Sequence, residues 1–399
     1  MTTHDTQVIV AGAGPVGTVA ALNLARRGID VVLCEAGPDC AQDLRASTFH
    51  PPTLEMLDEL GVVDPMLEYG IHAPVYQFRE RQSGEVVEFD LSEISDRTKY
   101  PFRLQCEQHV MARMLAKQLE QHPRAEMLFN HRAIVFEQTD SGVELAVETP
   151  YAIDHVRGQY LIAADGGNSI IRKWLNVEFE GFTYPEKFLC LSTKVDMKEH
   201  FENLSYVNYI SDPEEWLVLL RAPSVWRILL PAPESDTDEY LLSDEKAHRV
   251  FSNLTGDPNT PTEHRTIYRV HQRVAKRFDH GRVFLVGDAA HLNNPLGGFG
   301  MNSGIHDAWN LCEKLEACLA NGHDPAAFEL FGRQRHRVTH DFIQAQTIQN
   351  KELLEVGDAE AHALKLERMR AIQRDPVKRR EFLLNQAMFR SLEDAASIT

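Results

Sequence analysis

The sequence predicts an α/β fold: a Rossmann-like nucleotide-binding domain assembled from separated segments, an inserted β-sheet domain and a helical C-terminal tail. Three observations predict it. A strand, glycine turn, helix and second strand fill the first 35 residues, β-type runs dominate the middle, and helical, highly charged sequence follows about Pro325.

The first unit reads "QVIVAG", then "GPVGTVAALNLARRG", then "IDVVLCE". A β-branched run, a helix with small residues on one face and Gly28 as its cap, and a second apolar run form a βαβ unit. "PPTLEMLDELG" and "EQHVMARMLAKQLEQH" carry apolar residues at helical spacing. From about Gly142 the texture alternates. Between Lys187 and Pro231 the runs "FLCLSTKV", "LSYVNYI", "EWLVLL" and "VWRILLP" predict an antiparallel sheet. "SDEKAHRVFSNL" returns to helix, and "RVFLVGD" is a further short strand. The expected boundaries are 1–75, 101–180 and 266–340 for the nucleotide-binding domain, 76–100 and 181–265 for the sheet domain, and 341–399 for the C-terminal helices.

"GAGPVG" sets Gly12, Gly14 and Gly17 in the G-x-G-x-x-G pattern, with Pro15 and Val16 opening the helix. Gly12 permits the tight turn, Gly14 lets the backbone approach a pyrophosphate, and Gly17 lets helix pack on strand. The helix N-terminus offers N–H groups and a positive dipole end to phosphates. Glu35 ends the second strand, where its carboxylate accepts ribose hydroxyls and repels a 2′-phosphate. The turn therefore suits FAD or NAD over NADP.

A second glycine-rich stretch, "GDAAHLNNPLGGFGMNSGIHDA", runs from Gly287 to Ala308. Asp288 ends an apolar strand, where an acid can accept from a ribityl hydroxyl. Pro295 stiffens the loop, and Gly297, Gly298 and Gly300 let backbone pass a flat ring. A helix expected to begin near Asn302, just after Met301, aims its positive end there. A flavin fits, because its N1–C2=O edge becomes negative on reduction.

Composition bounds the alternatives. The 399 residues are 43% hydrophobic and 25% charged, with a formal net charge of −18. That charge argues against nucleic acid or an anionic membrane surface as a partner. No apolar run approaches the roughly 18 residues of a membrane span, and no secretory signal is visible at the N-terminus. The six cysteines include no C-x-x-C pair, which suits reduced, buried thiols and a cytoplasmic protein.

The three segments "GAGPVG" with Glu35, "AADGGNSIIR" (Ala163 to Arg172) and "GDAAHLNNPLGGFGMNSGIHDAWNL" occur in the order seen in a known family. On these motifs the chain resembles the group A flavoprotein monooxygenases, the aromatic hydroxylases typified by para-hydroxybenzoate hydroxylase. The resemblance implies FAD as cofactor and NADH or NADPH as co-substrate. It implies that Asp165 lies in a motif contacting both, that Asp288 meets the ribityl chain, and that Pro295 to Asn302 flanks the isoalloxazine. Arg45 matches an arginine touching FAD or the nicotinamide cofactor. Gln105 matches a glutamine near the FAD pyrophosphate, with Arg103 as the neighbouring alternative. The absence of W-x-W-x-I-P sets the sequence apart from flavin-dependent halogenases.

By that resemblance, NADH or NADPH reduces the flavin, O2 adds at its 4a carbon, and the distal oxygen attacks an electron-rich ring. The expected substrate is a small phenolic or N-heteroaromatic compound. The alternatives are a tailoring monooxygenase or epoxidase on a larger or non-aromatic substrate, and a non-catalytic flavin-binding redox sensor. A homodimer is the candidate assembly. The substrate face is expected on the inserted sheet, from Tyr206, Tyr209, Trp216, Trp226 and a carboxylate clamp at Arg221 or Arg227. Pro295, Tyr209 and Arg221 are the candidate catalytic residues. His271, His291 and His306 are weaker candidates for a base, His291 belonging to the loop scaffold.

Overall fold

The computed structural model of the chain describes residues 2–40, 46–213, 215–355 and 359–399. Its first core strand, Val8–Ala11, is wholly buried and lies parallel between Val31–Cys34 and Tyr160–Ala163. Ala125–Leu128 extends the sheet beyond Val31–Cys34, and Val283–Leu285 extends it beyond Tyr160–Ala163, both in parallel. Asp279–His280 closes that edge as an antiparallel hairpin. The strands are short, continuous apolar runs because both faces are covered. Helix Pro15–Arg26 packs against both Gln108–Leu119 and Phe299–Asn321.

This topology gathers distant residues at one edge. Ligands of such sheets bind outside the carboxyl ends of the strands, where the strand order changes direction. Gly12, Glu35, Asp165 and Asp288 each follow the carboxyl end of a parallel strand: Val8–Ala11, Val31–Cys34, Tyr160–Ala163 and Val283–Leu285. A meander of Arg132–Gln138, Val143–Glu148 and Ile153–Gly158, with Thr3–Asp5 added in parallel, forms a separate small sheet.

The middle of the chain forms an eight-stranded sheet, ordered His291–Leu292, His264–Ala275, Phe179–Thr193, Trp226–Ala232, Leu217–Arg221, Val207–Ser211, Val75–Glu80, Val86–Asp90. It is antiparallel except where Val207–Ser211 runs parallel to Val75–Glu80. The long strands Phe179–Thr193 and His264–Ala275 run through the breaks expected at 180 and 265. At about 3.3 Å per residue, strands of this length reach from the nucleotide-binding end into the sheet.

One face of the large sheet, with Leu189, Leu191, Leu217, Leu219, Ile228 and Leu230, packs on helix Asp244–Thr255. The opposite face looks toward the glycine-rich loop. A three-stranded sheet of Thr48–Phe49, Arg103–Gln105 and Ile71–Ala73 bridges the two halves. The tail is helical through Phe389–Ser397, with a π-helical turn at Thr339–Gln344. Among the described residues, no helix is long and apolar enough to cross a membrane.

Candidate active site

The front turn has the form its glycines require. Gly12 has φ +105°, and a Cβ there would lie 2.4 Å from the Ala164 carbonyl oxygen. A Cβ on Gly17 would lie 1.9 Å from the Gly12 carbonyl oxygen, so helix and turn touch backbone to backbone. At Gly14 a Cβ would meet nothing within 4 Å. That open side adjoins a helix start with Pro15 in its first turn and no side-chain cap, the arrangement that receives phosphate oxygens. Val16 wedges between glycines: its Cγ2 is 2.9 Å from a Cβ on Gly287 and 2.7 Å from one on Gly304. The front turn is thereby packed directly on the rear segment.

Glu35 does more than await a ribose. Its Oε2 accepts from the Ala13 amide at 2.7 Å and its Oε1 from the Gly37 amide at 2.8 Å. The carboxylate thus holds the turn and retains lone pairs for hydroxyl donors. Asp165 Oδ2 accepts from the Ile170 amide at 2.8 Å, at the start of helix Ile170–Trp174, while its buried Oδ1 has no partner among the described residues. Burial holds the Asp165 carboxyl above its ordinary range, against hydrogen bonds from Ser169 and the backbone. Arg172, in the same motif, donates to the carbonyls of Ala289 at 2.9 Å and Gly167 at 2.7 Å. It ties this motif to the rear one.

In the rear segment, Asp288 sits in a turn of 3-10 helix, Gly287–Ala289. The long helix starts at Phe299, three residues before the expected Asn302, because Gly298 serves as its N-cap in the left-handed region (φ +72°). Gly297 is also left-handed, at φ +103°, and a Cβ there would lie 2.4 Å from the Phe299 ring. The loop's glycines therefore answer to protein packing as well as to a ring. Asn302 is fully buried and internally engaged. It donates to the carbonyls of Thr48 (2.9 Å) and Gly298 (2.6 Å) and accepts from the His50 amide at 3.0 Å. Its side chain fixes the loop. Gln105 Oε1 accepts from Thr48 Oγ1 at 3.0 Å, and its buried Nε2 has no partner among the described residues.

A cavity of about 780 Å³ joins these parts. It is lined by Thr48, Asp165, Arg172, Asp288, Pro295, Gly298, Gly300 and Met301 on one side, and by Cys190, Tyr209, Val218, Leu220, Arg227, Leu229 and Tyr268 of the large sheet on the other. An FAD fits the groups present: phosphate oxygens at the uncapped helix beside Gly14, hydroxyls at Glu35, Asp165 Oδ1 and Asp288, an acceptor at Gln105 Nε2, and a flat ring along Pro295–Met301.

The predicted substrate residues divide by strand alternation. Val218 and Leu220 face the cavity, so Arg221 does not. Arg221 Nη1 donates to the Ala222 carbonyl at 2.8 Å, and its guanidinium lies 5.9 Å from the Trp226 ring. Its expected place on the substrate face is corrected: Arg227, the other residue expected there, lines the cavity and donates through Nη2 to the Tyr268 hydroxyl at 3.4 Å. Trp226 points to the far face and donates to Asp196 at 3.1 Å. Trp216 packs edge-on to Phe188, and Tyr206 lies under Lys198 Nζ at 3.9 Å; neither is among the lining residues. Arg45 lies outside the described residues.

Of the three histidines, only His271 lines the cavity, with Nδ1 2.8 Å from Thr183 Oγ1. Burial, then Arg273 and Arg269, hold its pKa below the ordinary value. His291 is buried and donates to Asp307 Oδ2 at 2.8 Å. His306, fully buried against Thr53, is pushed down to about 3 by burial and by Arg335.

Several supporting residues carried no sequence signal. His50 donates to the Gly297 carbonyl at 2.8 Å and stacks on Phe299. Asn294 and Asn350 hold the loop from behind: Asn294 bonds Gln272, Thr347 and Leu296, and Asn350 donates to the Leu296 carbonyl at 3.2 Å. Asp307 and Arg335 are helix residues that look, in sequence, like ordinary surface charges.

Comparison with known proteins agrees with this geometry. The family model described as FAD binding domain matches residues 5–346. The chain is 31% identical over 347 residues to para-nitrophenol 4-monooxygenase of a Pseudomonas species, covering 86% of each protein. It is 30% identical over 353 residues to 6-hydroxy-3-succinoylpyridine 3-monooxygenase of Pseudomonas putida, covering 86% of this chain and 88% of that one. The crystal structure of p-nitrophenol 4-monooxygenase from Pseudomonas putida superposes with a TM-score of 0.91 at 28% identity, over 98% of this chain and 99% of that one. The chain belongs to the FAD-binding-domain family of group A flavoprotein hydroxylases, and it is an FAD-dependent aromatic monooxygenase.

Proposed function

We propose that this enzyme hydroxylates a small phenolic or N-heteroaromatic substrate, consuming NADH or NADPH and O2. The observation that carries the reading is the single cavity in which the Pro295–Met301 loop faces Tyr209, Arg227 and Tyr268. Two relatives, named for a nitrophenol and a hydroxypyridine, support that substrate class. The bound flavin would supply reduction by the nicotinamide and activation of O2. A volume of about 780 Å³ leaves room for a substrate beside the ring system.

The chain's own residues have three tasks. Val218, Leu220 and Leu229 form an apolar wall that keeps water from the ring-side space. Tyr209, Arg227 and Tyr268 place polar groups on that wall to orient the substrate. Pro295, with no N–H, borders the ring side as rigid backbone rather than as a proton donor. Gly12, Gly14, Gly17, Glu35, Gln105, Asp165 and Asp288 would hold FAD. The six cysteines are buried free thiols, which suits the reducing cytoplasm. Homodimer assembly is part of the same proposal, and light scattering coupled to size exclusion tests it.

A panel of phenols and hydroxypyridines, assayed with both coenzymes for NAD(P)H oxidation and for oxygenated product, tests the reading. Coupled product from at least one single-ring compound is expected. Oxidation without oxygenated product across the panel would contradict it.

A further inference from the structure

Glu107 is buried, 4% exposed, at the N-cap of helix Gln108–Leu119. A side chain at this position ordinarily turns to the amides of its own helix, but that of Glu107 does not. Its Oε1 accepts from Ser224 Oγ at 2.7 Å and from the Ser224 amide at 3.4 Å, and its Oε2 accepts from the Tyr69 hydroxyl at 3.1 Å. Burial, then Glu107 itself, push the Tyr69 hydroxyl up to about 12, so it stays protonated and donates. The carboxylate thus gathers donors from two distant segments, and such bonds are stronger than neutral ones.

Ser224 sits at the tip of the hairpin joining Leu217–Arg221 to Trp226–Ala232, closed by the Ala222 amide on the Val225 carbonyl at 2.8 Å. That hairpin carries Val218, Leu220, Arg227 and Leu229 of the cavity's sheet-side wall. The residues flanking Glu107 hold the opposite wall. The Cys106 amide donates to the Ser47 carbonyl at 2.8 Å and the Gln108 amide to the Ala46 carbonyl at 3.1 Å. Ala46, Ser47 and Thr48 line the cavity beside the glycine-rich loop, and a Cβ on Gly298 would lie 3.0 Å from that of Thr48. Farther along the same segment, Arg103 lies 4.2 Å from the centroid of the Tyr76 ring and donates to the Tyr209 hydroxyl at 3.3 Å. One short stretch is therefore fastened to both walls, and Glu107 ties it to the hairpin tip.

We propose that Glu107 is a positioning residue that, through Ser224, sets the gap between the flavin-side wall and the substrate wall, and so the yield of oxygenated product per NAD(P)H. Glu107 is not among the lining residues and acts only through the hairpin. Either outcome of a turnover consumes one NAD(P)H, one proton and one O2. With the substrate in place, one oxygen atom enters the ring and the other leaves as water. With the substrate displaced, both leave as hydrogen peroxide. Transfer between two bound groups depends steeply on their separation, and a misplacement of about 1 Å can cost about a hundredfold. An untied hairpin keeps its ladders to the neighbouring strands, so the wall survives but its spacing from the flavin side loosens and water enters. The inference rests on the reading of this cavity as the substrate site.

The test compares wild-type holoenzyme with Glu107→Gln, Ser224→Ala, Ser224→Thr and the double variant Glu107→Gln with Ser224→Ala, on the compound the panel selects. Oxygenated product and hydrogen peroxide are both measured per NAD(P)H consumed, alongside FAD affinity and the melting temperature. Glu107→Gln and Ser224→Ala should each lower the product yield about two- to tenfold, with hydrogen peroxide making up the difference. Ser224→Ala should leave FAD affinity and melting unchanged, and Ser224→Thr, which keeps a hydroxyl, should restore most of the yield. The double variant should be no worse than the poorer single one, because both remove the same tie. If Glu107→Gln loses its flavin, Ser224→Ala decides, since it leaves the segment around Glu107 intact. A wild-type yield in Ser224→Ala, an equal loss in Ser224→Thr, or losses that add in the double variant overturn the inference alone. A wild type that gives no oxygenated product from any member of the panel overturns the substrate reading, and this inference with it.

Discussion

Asp307 Oδ1 accepts a hydrogen bond from Arg335 Nε at 2.6 Å, and both side chains are shut off from solvent. The other carboxylate oxygen accepts from His291 Nε2 at 2.8 Å and from the Gly287 amide at 3.1 Å. One carboxylate on the long helix therefore fixes the residue immediately before Asp288. Burial alone would push the Asp307 carboxyl up, but Arg335 and His291 outweigh it and hold it below the ordinary range.

Asp307→Asn should destabilise the protein by about 3–5 kcal/mol, because it leaves the Arg335 charge buried and unpaired. Urea unfolding of the holoenzyme reads this, and FAD affinity should fall with it as the Gly287–Asp288 turn loosens. In the wild type the carboxylate contributes stability above its unfolded pKa of about 3.9 and loses it as pH falls through the lower folded value. An unchanged unfolding midpoint in Asp307→Asn would show that the network does not bear on the fold.

His306 and His50 set a second pH window. Burial, aided by Arg335, pushes His306 down to about 3, and burial with Arg103 pushes His50 well down. The unfolded chain takes up these protons near pH 6.5, before the folded one does. Unfolding free energy should therefore fall as pH drops from about 6.5 toward 3, with each group contributing a slope of up to about 1.4 kcal/mol per pH unit. His306→Gln should flatten the slope between pH 6 and pH 4, followed by denaturant titration at a series of pH values. A slope identical to the wild type's would rule out the buried neutral imidazole as its source.

Gly14 and Gly17 separate ligand from fold. A Cβ on Gly14 meets no protein atom, so Gly14→Ala should cost no more than about 1 kcal/mol of apoprotein stability. It should nevertheless weaken FAD about tenfold or more, equivalent to about 1.4 kcal/mol, by occupying the phosphate's space. Gly17→Ala, with its Cβ forced against the Gly12 carbonyl, should fail to accumulate as folded protein. Thermal melts of the apoproteins and FAD titrations distinguish the two.

Arg227 and Arg221 are neighbours on adjacent strands with opposite outlooks. Arg227→Met should raise the substrate's KM about tenfold or more if it loses a charge-assisted hydrogen bond. Arg221→Ala should leave KM unchanged. Steady-state kinetics on the substrate chosen by the panel checks both, and a KM effect confined to Arg221 would reverse the assignment of sheet faces.

The two glycine-rich segments were legible because each encodes its job locally. At Gly12, Gly14 and Gly17, three different steric demands fall within six residues, and an acid ends the next strand. The βαβ unit and the helical tail were legible from periodicity for the same reason. The face of Arg221 was not, since its strand "EWLVLL" is apolar on both sides and gives no alternation to count. Arg103 and Asp307 were hidden for another reason. Their significance lies in partners more than 15 residues away: Tyr209 for one, Arg335 and His291 for the other. The helix start moved to Phe299 because Gly298, a residue read as making room for a ring, also caps the helix.

The most direct measurement is an FAD titration of the apoprotein, followed by flavin fluorescence and absorbance, for wild type and Gly14→Ala side by side. One FAD per chain should bind with a perturbed flavin spectrum, and Gly14→Ala should bind it more weakly while melting like the wild type. A folded wild-type apoprotein that takes up no FAD would contradict the account at its base.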